Sequence, residues 1–146
     1  MKFTESLRRL LPGLWLGVLL AIALIATPAA SNSLDKAAFG AVARAIFARE
    51  APTSLVFGVL ILVIERREAL ARHMATGVTQ FSTEMLLAAG ALFCTVAGYY
   101  GLLPAMEQAH LGGPTQLGFL QLHALSLAFF GLKGLLVLAL AWRATR

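Results

Sequence analysis

The chain has 146 residues, of which 59% are hydrophobic and 13% charged, and its mean hydropathy is +0.79. That surplus of apolar side chains over what a soluble core consumes excludes an ordinary water-soluble domain and indicates an integral membrane protein. The net charge of +5 comes from 12 basic and 7 acidic residues gathered in small groups between apolar runs; this fits membrane topology and lacks the continuous basic stripe of a nucleic-acid binder.

A spanning helix needs about 20 residues, predominantly apolar. The first candidate covers residues 11–30, with Gly13, Gly17 and Ala21 at four-residue spacing. Such a ridge of small side chains lets membrane helices approach closely, and we expect it to pack within the chain, with a dimer face as the alternative. Lys2, Arg8 and Arg9 ahead of this run, and Thr27-Pro28-Ala29-Ala30-Ser31 after it, also look like a secretory leader. Pro28 sits awkwardly for cleavage, so we expect the segment to be retained.

Residues 34–49 place Leu34, Ala38, Ala41, Val42, Ala45 and Ile46 at helical spacing, with Asp35, Lys36 and Arg44 elsewhere. This predicts a short amphipathic surface helix, capped by Ser33, carrying Asp35 in its first turn and ending before Pro52. The second spanning segment is residues 52–73. Its apolar run stops at Glu65-Arg66-Arg67-Glu68, so either the preceding stretch adds length or Arg66, Arg67 and Arg72 reach back to the interface.

The third segment is residues 82–103, with Gly90, Cys94 and Gly98 forming a second small-residue ridge. Cys94 is the only cysteine, which excludes an intrachain disulfide. Residues 104–115, with Glu107, His110 and Gly112-Gly113-Pro114, read as a turn. The fourth segment is residues 117–142. The expected fold is therefore all-α: a left-handed antiparallel four-helix membrane bundle in one domain, with the amphipathic helix between helices 1 and 2.

Basic residues set the orientation. With the N-terminus inside, Lys2, Arg8, Arg9, Arg66, Arg67, Arg72, Arg143 and Arg146 are cytoplasmic, whereas Lys36, Arg44 and Arg49 lie outside. Both termini are thus expected in the cytoplasm, in a cell inner membrane. Trp15 and Trp142 are expected near the inner interface, and Tyr99 and Tyr100 near the outer one.

The fourth segment carries Gln121, His123, Ser126 and, well inside it, Lys133. A lysine at the centre of a membrane helix costs about 2.5–3.5 kcal/mol on insertion scales, so it needs a partner, a polar cavity or a function. Snorkelling toward Trp142 is the bland reading. Side chains lean toward the N-terminus of their own helix, however, which turns Lys133 away from that interface. Glu84, the only acid of the third segment, is the candidate partner, although it sits about 10 Å shallower and both side chains would have to stretch or share a water. His123 and Ser126, three residues apart, and Lys133, seven beyond, are expected to form one polar stripe facing protein.

For His123, interhelical hydrogen bonding is the ordinary role. Haem would need a second axial ligand at matching depth, whereas His110 is in the outer loop and His73 on the cytoplasmic side, so no cofactor or metal is expected. No HExxH, phosphate-binding glycine loop or nucleophile elbow occurs, and no enzyme activity is expected.

Several short motifs, in order, carry a resemblance: Leu14-Trp15-Leu16-Gly17 followed by Pro28; the run Leu34-Asp35-Lys36-Ala37-Ala38-Phe39-Gly40-Ala41-Val42 ending at Phe47; Pro104; and Leu122-His123-Ala124-Leu125-Ser126. Together they resemble the transmembrane-protein-205-like family of small four-helix membrane proteins of unknown function. The resemblance implies the architecture above. It also matches His123 and Ser126 to the family's His and Ser, while Phe130 stands where an Asn commonly follows. The expected role is a non-enzymatic accessory or interaction subunit, in contact with lipid and with a membrane-protein partner or a second copy. A small transporter or channel using His123, Ser126 and Lys133 is the alternative.

Overall fold

The computed structural model describes residues 2–146. Four helices are long and apolar enough to cross a membrane. The first, α1, runs Lys2–Ala21, passes through a wide π-helical turn at Ile22–Ala26, and ends with Thr27–Ser33. The second, α2, is Lys36–Thr76. The third, α3, runs Thr83–Thr95, widens over Val96–Gly101, and closes with Leu103–His110. The fourth, α4, is Phe119–Ala144.

The two wide turns have a common cause. Each ends within three residues of a proline, Pro28 or Pro104, which lacks the N–H that would bond four residues back. Widening the preceding turn accommodates that gap while the helix continues. The segment around 104–110, expected as a turn, is accordingly helical: Pro104 stands in the first turn of Leu103–His110, where its missing N–H has no bond to make.

The largest departure from expectation is α2. Residues 34–49 do not form a separate amphipathic helix; from Lys36 onward they are the first third of one helix that continues through Pro52. Leu34 is extended, and Asp35, not Ser33, caps the helix by accepting from the Ala38 N–H at 2.9 Å. In the turn loosened by Pro52, the Thr53 hydroxyl donates to the Arg49 carbonyl at 2.7 Å. A proline in a membrane helix is tolerated when side chains and neighbours supply such replacements. The helix ends at Gly77, whose φ of 70° favours glycine.

Ser82 caps α3 through the Met85 N–H at 3.2 Å. At the start of α4, Gln121 accepts from the Gly118 N–H at 3.0 Å. Short loops bring neighbouring helices back antiparallel. The start of α1, the end of α2, the start of α3 and the end of α4 therefore meet at one face, which carries both termini.

The core is Trp15, Leu19, Ile61, Ala88, Ala91, Val137 and Leu140. Trp15 is fully buried and stacks near Phe57, so it is a core residue and not the interfacial anchor expected from sequence; Trp142 is exposed, as an anchor should be. Close approach depends on glycine at two places. A Cβ on Gly98 would meet the Phe129 Cβ at 2.5 Å, and one on Gly58 would meet Leu92 Cδ2 at 2.5 Å. Gly90 is looser, facing Leu136 at 3.2 Å. The remaining leucines, valines and phenylalanines that face outward form the apolar surface a membrane protein presents to lipid.

Candidate functional site

The site follows from the continuity of α2. Because the helix does not break at Pro52, Glu50 is carried into the bundle, one turn before Ser54 and on the same face. That face continues as Gly58, Ile61, Glu65 and Ala69, all buried. Opposite it, Lys133 of α4 projects inward, buried with Leu122, Val137 and Leu140.

Lys133 Nζ donates to Glu50 Oε1 at 2.6 Å. The Ser54 hydroxyl donates to the same oxygen. The Trp15 indole N–H in turn donates to Ser54 Oγ at 2.9 Å. One chain of hydrogen bonds therefore ties α1, α2 and α4 together, with side-chain exposures of only 4% for Lys133 and 2% for Glu50. The Phe130 ring lies 5.1 Å from Lys133 Nζ, and Phe47 meets Phe130 edge-on at 5.6 Å. Cys94 of α3 is buried within electrostatic reach of the lysine. Among the described residues, no buried side-chain nitrogen or oxygen lacks a partner.

Physically, a cation and an anion neutralise each other in a medium where either alone is costly. The cavity beside Arg8 and Arg143 and the one beside Arg66 and Phe81 touch neither Glu50 nor Lys133. The pair is packed in by side chains.

The structure separates the residues expected to act together. Glu84 is not the partner of Lys133; it sits in the first turn of α3 and pairs with Arg143 at 2.8 Å, at the face carrying the termini. His123 leaves the stripe. Ten residues at about 100° each turn it roughly 80° from Lys133, and it is exposed, stacked on Phe119 at 6.2 Å, with His110 tilted against the same ring at 6.0 Å. Ser126 does face protein, donating to the Gly98 carbonyl at 3.4 Å in the wide turn of α3. Of the proposed polar stripe, Ser126 and Lys133 point inward.

The ridges divide similarly. Gly90 and Gly98 pack against α4. Gly13 and Gly17 meet nothing within 4 Å of an added Cβ, and Ala21 is exposed, so the α1 ridge faces outward and does not pack within the chain. Glu50, Ser54 and Gly58 were absent from the sequence-based site. Their four-residue spacing, running on through Ile61, Glu65 and Ala69 across Pro52, was the signal that could have found them.

A second polar cluster closes the face carrying the termini. Arg8 of α1 holds Glu65 of α2 through two contacts, Nε to Oε1 at 2.6 Å and Nη2 to Oε2 at 3.1 Å. Arg143 of α4 holds Glu84 of α3, and Arg9 holds Glu5 within α1 at 2.9 Å. Among the described residues, no group of three His, Cys, Asp or Glu side chains converges to hold a metal ion.

Residues 10–115 match a family described as a domain of unknown function, DUF4149. The chain belongs to that family. The match takes in α1, α2 and α3 and ends before α4. Glu50, Ser54 and Trp15 thus lie inside the matched region, while Lys133 lies beyond it. No curated protein and no solved structure matches the chain significantly.

Proposed function

We propose that this protein is a non-enzymatic interaction or accessory subunit of a membrane complex, acting through helix contacts. One observation carries the reading: the buried polar groups that α1, α2 and α4 bring together are consumed within the chain, Lys133 on Glu50, Ser54 on Glu50 and Trp15 on Ser54. What remains open at that depth is an apolar surface, and on α1 it includes Gly13, Gly17 and Ala21, where another helix could approach closely. The partner is a second membrane protein or a second copy of this chain.

We place the protein in a cell inner membrane with both termini cytoplasmic. The excess of Lys and Arg at the face carrying the termini supports that orientation. The ordered motifs around Trp15, Asp35, Pro104 and His123 support kinship with the transmembrane-protein-205-like family, which is itself without an assigned activity.

The test is native extraction into lipid nanodiscs followed by mass spectrometry of what accompanies the chain. We expect a stoichiometric companion, or a dimer, that is lost on Gly13→Leu with Gly17→Leu while thermal stability is kept. A solitary monomer extracted from native membranes overturns the proposal. A second reading, a small transporter, draws on the wide turn of α3 near the buried pair, since such turns recur at functional sites. Unchanged flux in vesicles carrying Lys133→Leu removes it.

A further inference from the structure

At the face carrying the termini, the ends of α1, α3 and α4 and the Glu65 turn of α2 enclose an open cavity of about 220 Å³. Its charged lining includes Arg8, Arg9, Arg143 and Arg146 together with Glu5, Glu65 and Glu84. Each carboxylate is already engaged: Glu65 by Arg8, Glu84 by Arg143 and Glu5 by Arg9. Among the described residues, Arg146 has no carboxylate partner, and its guanidinium lies 5.4 Å from the Trp142 ring. Four guanidinium groups stand against three side-chain carboxylates in the lining. Each guanidinium has five N–H donors, of which the carboxylates use only some, so unspent donors surround the space.

The position of the cavity restricts the ligand. It lies where the spans end, beside Trp142, an exposed tryptophan of the kind that marks the headgroup level. Leu10 and Leu14 of α1 and Leu138 of α4 are exposed on the membrane side of this rim. A phosphodiester answers the unspent guanidinium donors and the depth together, and basic pockets between membrane helices bind anionic headgroups in this way.

We propose that this cavity binds the phosphate group of an anion, held by Arg9 and Arg146 and by the N–H groups of Arg8 and Arg143 not spent on Glu65 and Glu84. An anionic phospholipid headgroup and a free phosphate are the two sources of that chemistry. The proposal is independent of any protein partner.

The test uses the full chain in nanodiscs and in detergent. Retention of phosphatidylglycerol against phosphatidylcholine is read by native mass spectrometry, and inorganic phosphate is titrated in phosphatidylcholine nanodiscs. The exposed pair Arg9→Gln with Arg146→Gln removes two basic contacts and is expected to weaken phosphatidylglycerol retention about 30-fold, with unfolding temperature kept. Lys36→Gln with Arg44→Gln, at the opposite face, is expected to leave it unchanged. Selective phosphatidylglycerol retention that inorganic phosphate does not displace identifies the lipid as the source. Binding of inorganic phosphate that depends on Arg9 and Arg146 supports the same site with a soluble ligand. The proposal is overturned if neither anion binds selectively, if the Arg9/Arg146 variant binds as tightly as the native chain, or if the opposite-face variant loses as much.

Discussion

Replacing Glu50 by Leu leaves the Lys133 ammonium buried with no carboxylate, its nearest compensation being the Phe130 ring at 5.1 Å. Removing one partner of a buried ion pair costs about 3–5 kcal/mol, and a desolvated cation over a ring returns at most about 2 kcal/mol of that. Glu50→Leu is therefore expected to destabilise the fold by about 2–4 kcal/mol. Lys133→Leu is milder, because Glu50 keeps the Ser54 hydroxyl as a donor. The double replacement removes both charges from a buried site beside Trp15 and Phe130, where paired apolar substitution is neutral or stabilising. The double variant should thus be more stable than Glu50→Leu alone, with a coupling of about 2 kcal/mol or more. Unfolding by added dodecyl sulfate in mixed micelles, followed through Trp15 fluorescence in a Trp142→Phe background, measures all three. Single effects that sum to that of the double within about 0.5 kcal/mol would refute the idea that the pair acts as one unit.

Three further outcomes follow from the packing. Gly98→Ala pushes a Cβ to 2.5 Å from the Phe129 Cβ, which cannot swing aside, and should cost about 1–3 kcal/mol in the same assay, whereas Gly13→Ala, with open space around it, should cost almost nothing. Arg8→Ala strands Glu65, whose side chain is 3% exposed, and should lower the unfolding temperature clearly; Arg9→Ala breaks only an exposed pair and should not. In a Cys94→Ser background, a membrane-impermeant maleimide applied to intact cells should label Ser33→Cys but not Thr76→Cys; the reverse pattern refutes the proposed orientation.

The legible parts of the sequence were those set by composition and length. Four apolar runs separated by charged clusters leave little choice but a four-helix membrane bundle, and Lys133 announces itself because a lone cation is so costly in lipid. Glu50 was hidden for a local reason. It follows Arg49 and precedes Pro52, and a charged dipeptide before a proline reads as a boundary at the membrane surface. The helix runs on in a place where α1 and α4 hold its side chains from outside, through Trp15 on Ser54 and Lys133 on Glu50, 35 residues upstream and 83 residues downstream of Glu50. Glu84 misled for the opposite reason: as the only acid of its segment it was conspicuous, yet its place in the first turn of α3 keeps it level with Arg143.

The same reasoning bears on what α1 does. Its inward face carries Arg8, Pro12, Trp15 and Leu19, and Gly13 and Gly17 stand about 160° round the helix from Trp15. Lipid gives a helix no reason to face outward with glycine, since leucine at those positions would gain dispersion contacts and helix propensity, whereas glycine costs about 1 kcal/mol in a helix interior relative to alanine. That deficit is recovered when another helix uses the gap to approach closely, where backbone contact replaces the missing side chain. Trp15 fixes which face is outward, because its indole is bound to Ser54 and α1 cannot rotate without breaking that bond. The buried Glu50–Lys133 network would then serve the outer surface indirectly, holding α1 in the rotation that presents its glycines to a partner. Ser54→Ala, which removes the acceptor for Trp15, should accordingly weaken partner retention in nanodiscs while Gly13 and Gly17 are intact; retention equal to that of the native chain would separate the two.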